Sequence, residues 1–192
     1  MKIHNEVRIK VPLDEVWNAL NDIPRVARCA PGAELLESRA DDSHVGTVAV
    51  KLGPIALKFK GTVAFVERDE ANHRFLAKAQ GNDEKGRGTA RADVVFVLVE
   101  ADGGTRISVE SDIQLAGSIA QYGRGTALIQ STAQVLMDQF AKNLEANLTS
   151  LRSGNDAPEP EAAKEIGVAS LVAKGLWNAG AGLLKKGGGE NN

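Results

Sequence analysis

Apolar residues recur at Ile129, Ala133, Leu136, Phe140, Leu144, Leu148 and Leu151, in steps of three and four that lay them along one stripe of a 3.6-residue helix. The spacing predicts one long helix over Ala120–Leu151. Upstream the period changes. Lys2 to Val11 alternates, with Ile3, Asn5, Val7, Ile9 and Val11 on one side, which predicts a half-buried first strand. Pro12-Leu13-Asp14 breaks it, with Asp14 placed to cap a helix carrying Val16, Trp17 and Leu20; Asn21-Asp22-Ile23-Pro24 restarts a second short helix through Val26 and Ala27. From Ala33 to Leu115 the pattern is one of strands and turns. Reversals fall at Asp41-Asp42, Gly53-Pro54, Glu70-Ala71-Asn72 and Asp102-Gly103-Gly104.

A long helix with an apolar stripe needs a surface to cover, and the chain offers no second long helix. The expected partner is therefore a curved antiparallel sheet of about seven strands wrapped round it. That is an α+β helix-grip fold, with the helix on one face of the sheet. Whether sheet and helix pack solid or leave a cavity decides what such a domain does.

After Leu151 the pattern ends. Residues 152–161 hold two prolines and three acids with no large apolar residue, the composition of a linker. A new amphipathic pattern then runs through 162–192. Ile166, Val172, Leu176, Trp177, Leu183 and Leu184 share one side of a helical wheel, with Lys174, Lys185 and Lys186 among its cations. Four glycines (Gly167, Gly175, Gly180, Gly182) each cost about 1 kcal/mol of helix propensity, so this tail is marginal alone. Burial of its large apolar residues, roughly 1.5–3 kcal/mol each when complete, outweighs that once a surface is supplied. Four lysines against two glutamates and an interfacial tryptophan favour an anionic membrane surface; docking on a protein partner or back on the domain itself stays open.

Composition removes several function classes. A formal charge of -2 and 4% aromatic residues offer neither a basic field nor a stacking platform for nucleic acid. The single Cys29 and the absence of a signal-like or membrane-spanning apolar run predict a cytoplasmic chain that meets a membrane only at its surface. His4, His44 and His73 have no ligand spacing, no serine sits in a GxSxG context, and the carboxylates of the strands read as solvated faces. Neither a metal site nor a catalytic residue is expected. Gly81 to Gly88 is followed by an alternating strand and not by a helix, so it reads as a strand bend or bulge and not as a phosphate loop. Gln121-Tyr-Gly-Arg-Gly125 brings a phenol and a guanidinium to the start of the long helix, where they are placed to receive a polar head.

Several separated runs carry a resemblance: Pro31-Gly32, Lys51-Leu-Gly-Pro-Ile55, Phe59-Lys-Gly61, Asp83-Glu-Lys-Gly-Arg-Gly-Thr-Ala90, Ser111-Asp-Ile-Gln-Leu-Ala-Gly117 and Ala120-Gln-Tyr-Gly-Arg-Gly125. Over residues 1–151 the chain resembles the CoxG family of carbon monoxide dehydrogenase subunits, within the START-like (SRPBCC) superfamily. The resemblance implies a deep apolar cavity between sheet and long helix. It also implies a molybdenum hydroxylase of the carbon monoxide dehydrogenase type as partner, recruited to the cytoplasmic face of the inner membrane.

These readings combine into an expectation: a non-enzymatic carrier and adaptor with no covalent cofactor. It would bind an apolar small molecule, and an isoprenoid quinone such as menaquinone or ubiquinone is the natural one if the partner feeds a respiratory chain. The expected lining is Val50, Leu52, Leu57, Phe59, Val63, Phe96 and Leu98 from the strands with Leu128, Val135 and Leu136 from the helix; Tyr122 and Arg124 would take the head. Two alternatives belong to other classes. One is a ligand-free assembly factor for the same oxidoreductase, the other a small cyclase or hydrolase using Tyr122, Arg124 and Asp112.

Overall fold

A computed structural model of the chain describes residues 1–124 and 126–153. Strand β1 (Lys2–Ile9) leads to helices α1 (Leu13–Asn21) and α2 (Ile23–Cys29). Six strands follow in an unbroken meander: β2 (Ala33–Ser38), β3 (Ser43–Leu52), β4 (Ile55–Asp69), β5 (Arg74–Asp83), β6 (Gly88–Ala101) and β7 (Gly104–Gly117). A 3-10 turn (Ser118–Arg124) and helix α3 (Thr126–Arg152) complete the described chain. All seven strands form one antiparallel sheet in the order β1-β7-β6-β5-β4-β3-β2, so β1 joins the meander at its far end. This is the α+β helix grip that the alternation and the terminal stripe predict.

Four local features differ from the sequence reading. The long helix is not continuous from Ala120: Gly123 and Gly125 weaken its first turns, which wind as 3-10 before α3 starts at Thr126. β1 ends at Ile9, and Val11 is fully buried beyond it. Pro12, not Asp14, takes the N-cap of α1 without a side-chain cap; Asp14 sits in the first turn, where its charge suits the helix dipole. The run from Gly81 to Gly88 is a hairpin turn between β5 and β6, not a bend within a strand.

That hairpin is locked by one carboxylate. Asp83, whose side chain is wholly buried, accepts from Arg87 Nε (2.8 Å), Arg87 Nη2 (2.7 Å) and the backbone N–H of Lys85 (3.1 Å), while Arg87 Nη2 also donates to Ala56 O (2.9 Å). The contact to Ala56 ties the β5–β6 turn to the start of β4. The Arg87 hydrogen bonds hold the Asp83 carboxyl well below the usual carboxylate range, against the opposing pull of desolvation.

Helix α3 packs chiefly against β1, with lesser contacts to α2 and β3. β1 is an edge strand, and its outward carbonyls need donors. Gln130 Nε2 donates to His4 O (3.1 Å) and Gln134 Nε2 to Glu6 O (2.8 Å), while buried Asn5 donates back to Gln130 O (3.2 Å) and Gln134 Oε1 (3.0 Å). An asparagine on the inward side of β1 is thus explained: it fixes the register of helix on strand.

The core falls into two clusters. One gathers round Trp17, which stacks on Phe75 with ring centroids 4.1 Å apart, together with Val16, Leu98, Leu144 and Leu148. The other joins Ile3, Leu52, Leu57, Ile119 and Ile129, with Tyr122 packed against it. Leu151, the last residue of the predicted stripe, is exposed.

The hairpin lock makes a pH prediction. A carboxylate with a depressed folded pKa stabilises the fold fully above its unfolded value, about 3.9, and loses that contribution as pH falls toward the folded value. Asp83→Asn should therefore lower the urea midpoint at pH 7, and the gap to wild type should narrow below about pH 4. A gap that is the same at pH 7 and pH 3 would show that the charge of Asp83 is not what holds the turn.

Candidate functional site

Between the two clusters the inner face of the sheet is not filled. β4 turns Phe59, Gly61, Val63 and Phe65 inward. Facing them across the pairing stand Gly46 of β3 (opposite Gly61), Gly81 and Ala79 of β5 (opposite Gly61 and Val63), and then Ala90 and Ala92 of β6. The middle of this face is paved with glycine and alanine where a solid core would carry leucine. A cavity of about 530 Å³ results, a size within the roughly 300–1,000 Å³ typical of small-molecule sites.

Large apolar side chains ring it and remain only half-buried: Val48, Phe59, Val63, Phe65, Val94 and Phe96. Its cover is α2, which with its C-cap turns Ile23, Val26, Ala27 and Ala30 to the cavity, an i, i+3, i+4, i+7 set. Asp22 caps this helix by accepting from Arg25 N (3.1 Å), and Asn143 of α3 donates to Cys29 O (2.9 Å) at its other end. Cys29 is buried, and burial pushes its thiol up, away from nucleophile chemistry.

Gly61 shows how tightly the sheet is drawn. A Cβ there would stand 2.0 Å from Gln80 O and 2.5 Å from Gly81 Cα, so only glycine permits the approach. Bulges between Leu35 and Glu37 in β2 and between Phe65 and Glu67 in β4 add to the curl; the residues they displace, Leu36 and Val66, are exposed large apolar side chains for that reason.

The expected lining residues divide. Phe59, Val63 and Phe96 stand in the cavity wall. Leu98 belongs to the Trp17 cluster, Leu52 and Leu57 to the second cluster, and Val50 packs against the latter. Each faces the same side of the sheet as the cavity, but toward its packed ends. Leu128, Val135 and Leu136 are half-buried on α3 and outside the wall, because α3 rides on the β1 edge and α2 takes the covering position. Tyr122 packs on the second cluster and is not in the wall either; the Arg124 side chain lies outside the described residues. Asp112 stands on the opposite face of β7 from inward Ile113, so the sheet separates it from Tyr122. The acidic linker beyond Ser153 and the whole tail, with Ile166, Val172, Lys174, Leu176, Trp177, Leu183, Leu184, Lys185 and Lys186, also lie outside the described residues.

Sequence reasoning missed α2 as a wall and His44 as a lining residue. The i, i+3, i+4, i+7 spacing in Ile23–Ala30 carried the first; the second had only the inward parity of β3, which puts His44 in line with Gly46 and Val48. Among the described residues no group of histidine, cysteine and carboxylate side chains is placed to hold a metal, and no helix is long and apolar enough to cross a membrane.

A family model for CoxG, the G-type subunit of carbon monoxide dehydrogenase, matches residues 6–149. No curated protein matches the chain. Solved structures share the fold at low identity. A conserved protein from Geobacillus kaustophilus has 17% identity and a TM-score of 0.67, the match covering 78% of this chain and 96% of that one. The ZhuI aromatase/cyclase from Streptomyces sp. R1128 has 13% identity and a TM-score of 0.56, covering 81% and 98%. Protein Ms6760 from Mycobacterium smegmatis has 18% identity and a TM-score of 0.52, covering 78% and 92%. The fold is START-like.

Proposed function

Since the chain belongs to the CoxG family of carbon monoxide dehydrogenase subunits, we propose that it is a non-enzymatic carrier and adaptor serving an oxidoreductase of the carbon monoxide dehydrogenase type. Its cargo is an isoprenoid quinone such as menaquinone or ubiquinone. The observation that carries this reading is the ring of half-buried apolar side chains around a cavity of about 530 Å³. Apolar surface on the inner face of a sheet is left open at a cost of roughly 25 cal/mol per Å², which an apolar guest offsets. The aliphatic wall suits a prenyl chain. Phe59, Phe65 and Phe96 supply faces for a planar ring.

Membrane delivery rests on the sequence of the tail. Its apolar side and lysines suit an anionic bilayer surface, and the acidic linker gives the domain reach from that surface to a partner enzyme. A quinone leaving the bilayer would then pass into the cavity without crossing water.

The cargo is tested by native mass spectrometry of gently purified full-length protein, with and without added short-chain menaquinone. A quinone adduct is expected in wild type. It should be lost in an Ala79→Phe/Ala92→Phe variant that fills the cavity while retaining a cooperative thermal transition. Absence of any apolar adduct, together with tight binding to the oxidoreductase, would replace this reading with that of a ligand-free recruitment factor.

The anchor has its own test. Removal of residues 154–192 should leave a folded domain that no longer floats with vesicles of mixed phosphatidylglycerol and phosphatidylcholine. Flotation that survives the truncation would place the membrane contact elsewhere.

A further inference from the structure

The cavity wall is apolar almost throughout, yet one inward position of β3 carries an imidazole. His44 is 6% exposed and lines the cavity between Val63 across the β3–β4 pairing and Phe65, whose ring centroid lies 6.3 Å away. Its Nδ1 is 3.1 Å from Ser38 Oγ. Its Nε2 is buried with no hydrogen-bond partner. Buried polar atoms left in this state are unfavourable and rare, and each calls for a reason. Of the buried unpaired side-chain atoms among the described residues, His44 Nε2 alone belongs to a residue of the cavity wall.

The charges around the ring decide which way the nitrogen acts. Asp42 Oδ1 lies 3.5 Å from Nε2, too poorly placed for a hydrogen bond but close enough to repel a lone pair. The same carboxylate is engaged by Arg68, whose Nη2 is 2.9 Å from Oδ2 and 3.1 Å from Oδ1. Arg68 in turn lies 5.2 Å from the Phe65 ring centroid. The tautomer these neighbours favour carries its proton on Nε2, leaving Nδ1 to accept from the Ser38 hydroxyl. The unpaired group is then a donor. What the site lacks is an acceptor.

We infer that His44 is the polar anchor of the cavity: Nε2–H donates to a carbonyl oxygen on the head of an otherwise apolar ligand, and thereby selects oxygen-bearing heads over hydrocarbons of the same shape. Phe65, beside the imidazole, lies against the flat of such a head. This inference rests on the carrier reading above and deepens it, since a quinone presents carbonyl acceptors at the rim of a planar ring. It also moves the head-binding end of the site from the start of α3, where Tyr122 sits, to the β2–β3 hairpin.

The test compares two probes by equilibrium dialysis against full-length protein: a naphthoquinone bearing two prenyl units, and the same prenylated naphthalene without its carbonyl oxygens. Wild type should bind the quinone at least about tenfold more tightly, the factor expected for one hydrogen bond to an otherwise unpaired buried group. His44→Leu should bind the two probes equally, with its hydrocarbon affinity unchanged. His44→Gln, which keeps a donor, should recover part of the preference, and Tyr122→Phe should keep all of it. Undiminished discrimination in a folded His44→Leu variant would overturn the assignment while leaving the carrier reading intact. Failure of wild type to bind either probe would overturn both.

Discussion

The closest constraint in this fold is the approach of two backbones at the middle of the sheet. Gly61 and Gly81 face one another across the β4–β5 pairing, with Gly46 on one flank and Ala90 on the other, and a methyl group at Gly61 has no room. A row of four residues with almost no side chain crosses four strands. Two consequences follow from it. The sheet can curl sharply there, and its inner face is left without the volume needed to meet the elements above it. Large side chains gather at both ends of that row, so the core is two clusters with a space between them and not one continuous mass.

Stability and binding are therefore carried by different parts of the molecule. The Trp17 cluster holds α1 and the end of α3 to the sheet, and the second cluster holds the 3-10 turn and the start of α3. The glutamine and asparagine ladder between α3 and β1 closes the sheet edge, while the Asp83–Arg87 lock fixes the β5–β6 turn. None of these groups stands in the cavity wall. The wall belongs to the central strands and to α2, a helix of seven residues held by its Asp22 cap, by one hydrogen bond from Asn143 and by what it covers. A domain arranged in this way can leave its cavity empty or filled without disturbing what keeps it folded.

The alternation of the strands and the stripe of the last helix made the helix grip legible in the sequence, and the turn residues placed most reversals. The blocks from Pro31 to Gly125 carried the family. What the pattern could not convey was which element covers the open face. Periodicity says that Leu136 and Leu98 turn inward; it does not say that α3 slides onto the β1 edge through Gln130 and Gln134, nor that Leu98 faces a packed end of the sheet. Phe59, Val63 and Phe96 were legible as lining because their parity puts them inward beside the glycine row. His44 shares that parity, but a lone histidine beside a turn gives no sign in sequence of an unpaired nitrogen; that required the positions of Ser38, Asp42 and Arg68.

The central claim is that an apolar molecule enters between α2 and the small-residue row. Methyl-resolved NMR of the full chain, titrated with a short-chain menaquinone, addresses it directly. The methyl signals of Val48, Val63, Val94 and Ile113, which line the cavity, should shift together and saturably, while those of Val16 and Leu144, wholly buried in the Trp17 cluster, stay in place. Shifts confined to Leu128, Val135 and Leu136 on α3, or none at all at saturating quinone, would contradict that claim.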